Sequence, residues 1–318
     1  MLQTSLTMAL LLALGRFARL RGVLSAGAQR DLSALVVDLA FPALVLVQLP
    51  RTVDAASLAA RWYLPLLGAG VIALALLTGA LLARRVAAPA QRRTFAFMVG
   101  MPNWIFFPLP IAEGLYGAEG VSCVLLLNVG AQLVLWTLGV FTLQGRVSTA
   151  ETLRALARNP GLLATLGGVG LVLLAPTLPE GPAGLVGRAV VGAVALVGQM
   201  AVPLSFLVAG MQLAPDAAAP SGPAAAERST LVALVLGRLV LAPLLFVALL
   251  WAMAPWLGLP FGAVPLRVAC LVAAMPVAVT CGPLAERLGG DPALASRGIV
   301  ATTLAALVSV PVLMAALA

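Results

Sequence analysis

The sequence predicts an all-α membrane protein of ten transmembrane helices, built as two inverted five-helix repeats. Three observations predict it: a charge-poor apolar composition, an alternation of arginine between connections, and matched proline clusters in the two halves. Of 318 residues, 62% are hydrophobic and only 9% are charged. Soluble chains carry about 25% charged residues, so lipid is the expected solvent for most of these side chains.

A bilayer core takes roughly 20 apolar residues of helix. Runs of that kind lie near residues 4–20, 32–50, 62–83, 94–112, 120–142, 160–176, 184–210, 229–253, 266–285 and 298–317. All 19 basic residues are arginine. Arg16, Arg19, Arg21 and Arg30 follow the first span, Arg84, Arg85, Arg92 and Arg93 the third, and Arg146, Arg154 and Arg158 the fifth. With Arg228, Arg287 and Arg297, the odd-numbered connections hold 14 arginines, and the even-numbered ones hold 4. Cytoplasmic loops carry the positive excess, so the odd connections are expected in the cytoplasm and both termini outside a cytoplasmic (inner) membrane. Met1 to Thr7 has no positive charge and the arginines follow the first apolar run, which is not the order of a secretory signal. The positive balance of +8 is therefore read as membrane orientation, and no nucleic-acid partner is expected.

The two halves share a proline pattern. Pro42 in span 2 corresponds to Pro203 in span 7, and the cluster Pro102, Pro108 and Pro110 in span 4 corresponds to Pro276 and Pro283 in span 9. Five spans per copy make the second copy enter from the opposite side, an inverted repeat. The predicted units are residues 1–142, a short cytoplasmic connection 143–159, and residues 160–318. Ala214 to Glu227, rich in Ala and Pro, reads as a flexible loop.

Proline inside a helix removes a donor and displaces the carbonyl four residues back. In hydrocarbon such a carbonyl finds no water, so clustered prolines belong where backbone faces protein or a wet cavity. Breaks at matching positions of two repeats point to a transporter's binding site, and half-helix N-termini there favour an anion. The candidate substrate-binding residues are Asn103, Pro108, Pro110, Asn128, Gln132, Pro276, Thr280 and Cys281. Ionisable groups within spans are rare and telling; Asp38 and Arg238 are the candidates for ion or proton coupling. Glu113 and Glu119 are expected to be solvated.

Other chemistry is excluded. Histidine is absent, which removes His-based zinc sites and catalytic triads. Lysine is absent, which removes P-loop and Schiff-base chemistry. Cys123, Cys270 and Cys281 lie in apolar runs without a CxxC, so neither disulfide nor metal site is expected. No enzyme activity and no cofactor is predicted.

A set of short motifs resembles the auxin efflux carrier family over nearly the whole chain. They are Asn103 to Pro110 followed by Leu115-Tyr-Gly117, Asn128 with Trp136-Thr-Leu-Gly139, and Arg158-Asn-Pro160. In the second half they are Val202-Pro-Leu-Ser, Gly210-Met-Gln-Leu213, Arg238-Leu-Val-Leu-Ala-Pro243, Ala273-Ala-Met-Pro276, Ala285-Glu-Arg-Leu-Gly-Gly-Asp291 and Ser309-Val-Pro311. The resemblance implies a fold related to bile-acid symporters and sodium/proton antiporters, in which spans 4 and 9 cross at their broken centres. It implies a scaffold of spans 1, 2, 6 and 7, often dimeric, and a moving transport domain of spans 3–5 and 8–10. It also implies a carboxylate substrate. The chain departs from the family pattern at Trp104, Ile105, Pro108, Thr280 and Asp38.

The reading is a secondary transporter that carries a small organic anion by alternating access, with sodium or proton coupling left open. A cation/proton antiporter is the first rival, weakened by the lack of an acid mid-way in spans 4 and 9. A non-transporting membrane receptor is the second, and it needs no broken helices.

Overall fold

A computed structural model describes residues 2–145, 149–174, 184–214, 225–253, 255–256, 258 and 263–316. Among them the chain is helical throughout, and its sole β feature is an isolated bridge. The first helices are α1 (Leu2–Leu20), α2 (Ala26–Thr52), α3 (Tyr63–Val86) and α4 (Arg92–Gly100). The run Pro108–Gln144 contains two helices, because Gly117 at φ 57° turns the chain back on itself. We call them α5 (108–116) and α6 (118–144). Then come α7 (Thr149–Arg158), α8 (Pro160–Leu174), α9 (Leu185–Gln212) and α10 (Glu227–Met253). The last are α11 (Val264–Ala273), α12 (Cys281–Arg287) and α13 (Pro292–Ala316).

Six helices among the described residues are long and apolar enough to cross a membrane: α2, α3, the Pro108–Gln144 run, α9, α10 and α13. The runs expected as spans 4 and 9 are each divided in two. Span 4 becomes α4 and α5, separated by 101–107, and span 9 becomes α11 and α12, separated by 274–280. The expected connection 143–159 carries a feature the sequence reading lacked, the ten-residue amphipathic helix α7. Of the predicted loop from Ala214 to Glu227, residues 215–224 lie outside the described residues.

Prolines shape the unbroken helices as well. Pro42 and Pro243 cannot donate to the carbonyls four residues back. Just upstream, Val36–Ala40 and Gly237–Leu241 widen into π turns. There the N–H groups of Phe41 and Ala242 reach back five residues, to the carbonyls of Val36 and Gly237. A π turn absorbs the misfit while leaving the helix continuous. Each of these two turns also carries an ionisable residue, Asp38 in one and Arg238 in the other.

Packing divides the helices into two groups. In one, α1 lies along α9, and α2 lies against α8 and α9. In the other, α3 packs on α4, α6 and α10, α11 packs on the Pro108–Val134 run, and α13 packs on α10 and α12. Within the second group α3 and α6 meet backbone to backbone: a Cβ on Gly130 would collide with the carbonyl of Pro65. Small residues allow this approach, which is how membrane helices gain dispersion energy without a hydrophobic driving force. The groups meet where α2 and α8 face the Pro108–Val134 run. The aromatic pairs Phe41–Phe106 (5.9 Å, edge-on) and Phe107–Phe206 (4.4 Å) pack across that boundary.

The α3–α6 contact gives the first prediction. Gly130→Val forces the two backbones apart and destabilises the protein by about 2 kcal/mol, measured as a lower thermal midpoint in detergent. A variant as stable as wild type contradicts this packing.

Candidate binding site at the helix crossing

The two interruptions meet. Pro102 and Val277 form an antiparallel bridge: the Asn103 N–H donates to the Pro276 carbonyl at 2.8 Å, and the Ala278 N–H donates to the Met101 carbonyl at 2.9 Å. Each broken strand thus satisfies the other's freed backbone groups, which hydrocarbon cannot do. The Val277 N–H also donates to Thr302 Oγ1 at 3.2 Å.

The half-helices α4 and α11 both end at this crossing and leave orphan carbonyls, as every helix C-terminus does. Arg238 supplies the missing donors. Its guanidinium is fully buried and donates to the Val99 carbonyl at 2.6 Å and to the Ala273 carbonyl. One positive charge thus faces two helix C-termini, each worth about half a negative charge. The π turn at Gly237–Leu241 places the guanidinium between them.

Beside the crossing lies a cavity of about 860 Å³. Its walls include Asn103, Trp104 and Phe106 of the span 4 break, Ala278 and Thr280 of the span 9 break, Gln132 and Trp136 of α6, and Asp38 and Phe41 of α2. Exposed Arg30, Arg158 and Arg287 line it on the arginine-rich face, with exposed Glu286 among them. Three cations against Asp38 and Glu286 leave one net positive charge along the lining.

Asn103 is the polar group best placed to meet a ligand. It is 2% exposed and lines the cavity. Its Oδ1 accepts from the Phe106 N–H at 3.1 Å, which caps the turn leading into α5. Its Nδ2 has no hydrogen-bond partner among the described residues. A buried donor without a partner is costly and calls for an explanation; a ligand acceptor provides one.

The other sequence candidates divide. Gln132, Thr280 and Asp38 line the cavity beside Asn103. Gln132 Oε1 accepts from Trp136 Nε1 at 3.1 Å, which holds that indole in the wall. Asn128 does not line the cavity: it is fully buried behind Trp104, with Oδ1 accepting from the Trp104 Nε1–H at 3.0 Å. Arg238 does not line it either, because both its bonds go to backbone at the crossing. Pro108, Pro110, Pro276 and Cys281 are outside the lining; Pro108 opens α5 and Cys281 opens α12. Glu113 and Glu119, expected to be solvated, are both exposed, and Glu119 pairs there with Arg61 at 2.9 Å.

Sequence reasoning singled out Trp104 as a departure from the family pattern but missed Phe106, Trp136 and the arginine rim as parts of the cavity wall. Trp104 and Phe106 stand inside the proline cluster, which was a usable signal. Arg158 and Asn159 stand in the Arg158-Asn-Pro160 motif. Arg30 and Arg287 were counted only as orientation charges.

A polytopic helical protein with an interrupted-helix crossing beside a largely apolar cavity that carries a few polar groups has the makings of a membrane transporter. The chain matches the family model described as membrane transport protein over residues 2–314, and it belongs to that family, the auxin efflux carrier family. Among curated proteins none matches the chain.

The Arg238 contacts give the second prediction. Arg238→Met leaves two buried carbonyls without donors and lowers stability by about 3 kcal/mol, read by thermal denaturation. Arg238→Lys, which keeps the charge but loses the planar fork, recovers part of the loss. A methionine variant as stable as wild type contradicts the capping role.

Proposed function

We propose that the protein is a secondary carrier for a small organic anion, with a carboxylate as the fitting class, and that it works by alternating access across the cytoplasmic membrane. The unpartnered Asn103 Nδ2 in the cavity wall carries this reading. A carboxylate oxygen accepts from that amide, and the Thr280 hydroxyl offers a second donor. The arginine rim attracts an anion to the mouth and leaves it free to pass, because exposed charges raise encounter rates more than they hold a ligand.

In this reading the chain crosses the membrane ten times. The spans are α1, α2, α3, α4 with α5, α6, α8, α9, α10, α11 with α12, and α13. Residues 1–142 and 160–318 are then inverted repeats joined by 143–159. The antiparallel pairing of the two breaks supports that symmetry. The α1, α2, α8 and α9 group serves as scaffold, and the group built on α3 carries the crossing. The arginine-rich cavity face is cytoplasmic, which makes this the inward-open arrangement, with both termini outside. The scaffold offers the surface for a homodimer.

Asp38 lies in the same cavity on the scaffold side, which favours a coupling role for it with sodium or a proton. Arg238 is better placed as the fixed positive charge of the crossing than as a coupling group.

A thermal-shift screen of purified protein against carboxylates, with and without sodium and across pH, tests the proposal. A ligand at 100 times its Kd stabilises the folded state by about 2.7 kcal/mol. Asn103→Asp keeps the Oδ1 acceptor for Phe106 but puts a carboxylate oxygen where the donor stood. It is expected to abolish the ligand shift while the unliganded protein stays folded. Asn103→Ala abolishes the shift too, with some loss of intrinsic stability. A full ligand response in both variants contradicts the site. Asp38→Asn is expected to keep anion binding and remove its dependence on sodium or pH, and unchanged dependence contradicts the coupling role.

A further inference from the structure

We propose that Thr165, Asn128 and Trp104 form a hydrogen-bonded latch that holds the cavity open to the arginine-rich face. This rests on the alternating-access reading given above. The chain of bonds is continuous: Trp104 Nε1–H donates to Asn128 Oδ1 at 3.0 Å, Asn128 Nδ2 donates to Thr165 Oγ1 at 3.1 Å, and the Thr165 hydroxyl donates to the Gly161 carbonyl at 2.8 Å. The indole N–H can only donate, so the amide oxygen must face it and the amide nitrogen must face the threonine. The Thr165 proton is committed to Gly161, which leaves its oxygen free to accept. Each group holds the one role open to it.

The latch spans the two packing groups. Trp104 belongs to the span 4 break and Asn128 to α6, both in the group that carries the crossing. Thr165 lies on α8, which packs on α2 in the other group. Asn128 and Thr165 are fully buried, and Trp104 is 7% exposed. If the two groups slide past each other, the Asn128–Thr165 bond must part. The aromatic pairs at the same boundary are different in kind. Phe41–Phe106 and Phe107–Phe206 are apolar contacts that can exchange neighbours, whereas a hydrogen bond weakens steeply once its geometry is lost. A buried amide deprived of its partner disfavours the separated state. The bond therefore biases the protein toward the arrangement seen here. It also ties the indole of the cavity wall to the scaffold, so Thr165 acts on the site as a positioning residue.

Access measured from the two sides of the membrane tests the latch. In the full chain, with Cys123, Cys270 and Cys281 replaced by alanine, Thr280→Cys puts one thiol in the cavity. A membrane-impermeant maleimide is applied to inside-out and to right-side-out vesicles, and the ratio of the two labelling rates is read. Thr165→Val keeps the shape and deletes the acceptor. It is expected to shift the ratio roughly fivefold toward the face opposite the arginine rim, the effect of one net buried hydrogen bond. Asn128→Leu keeps the side-chain size but deletes the donor of the same bond, shifts the ratio the same way, and carries the test if the valine variant fails to fold. Thr165→Ser restores the hydroxyl and the parent ratio. A parent thiol that labels from both sides with a ratio unchanged in both variants, even if their stability falls, overturns the latch and leaves alternating access standing. A thiol that labels from one face only, in parent and variants alike, overturns the moving-group reading and the latch with it.

Discussion

The structure is governed by one constraint: two apolar helical runs are interrupted inside the buried interior, at 101–107 and 274–280, and every backbone group freed by that interruption needs a protein partner. The four loose ends are resolved in three ways. The interruptions pair with each other through the bonds between Asn103 and Pro276 and between Ala278 and Met101. Arg238 takes the carbonyls at the ends of α4 and α11. Side chains do the rest, with Asn103 capping the turn at Phe106 and Thr302 meeting the Val277 N–H. Remove any one of these and a polar group is stranded in a medium with no water to receive it.

This solution shapes the electrostatics beside it. A guanidinium between two helix C-termini is balanced by their dipoles without any carboxylate, so no acid is needed at the crossing. The amide of Asn103 is left unsatisfied on the cavity side, where the lining carries a small positive excess from Arg30, Arg158 and Arg287. A cation site needs the opposite arrangement, with acids at the crossing. The family identifies a membrane transporter; the carboxylate class proposed here is the one the resemblance implies, and the unpartnered Asn103 amide in the lining supports it.

The breaks themselves were legible in the sequence, because proline clusters in otherwise apolar runs have few explanations. Residues 101–107 and 274–280 fall inside the two clusters that were singled out. Of the cavity-lining polar residues, Asn103 and Thr280 were legible for the same reason, as polar groups beside the breaks, while Asp38 was legible as an ionisable group within a span and Gln132 as an amide of span 5 one turn from Asn128. Asn128 was expected in the pocket because it shares a helix face with Gln132. Spacing along one helix says nothing of what stands in front of that face, and here Trp104 does. Arg238 was read as a candidate for ion or proton coupling; its carbonyl partners lie 139 and 35 residues away in the chain, a relation that local spacing does not encode. Helix α7 was passed over as connection because ten residues of mixed Ala, Leu and Arg are too short to read as a span.

The central claim is that the crossing presents the Asn103 amide to an anionic ligand. The most direct measurement is an experimental density map of the protein bound to a carboxylate that stabilises it. The account predicts density for the carboxylate within hydrogen-bond distance of Asn103 Nδ2, between the Thr280 hydroxyl and the Trp104 ring. Ligand density confined to the arginine rim, with Asn103 Nδ2 bonded to protein, would contradict it.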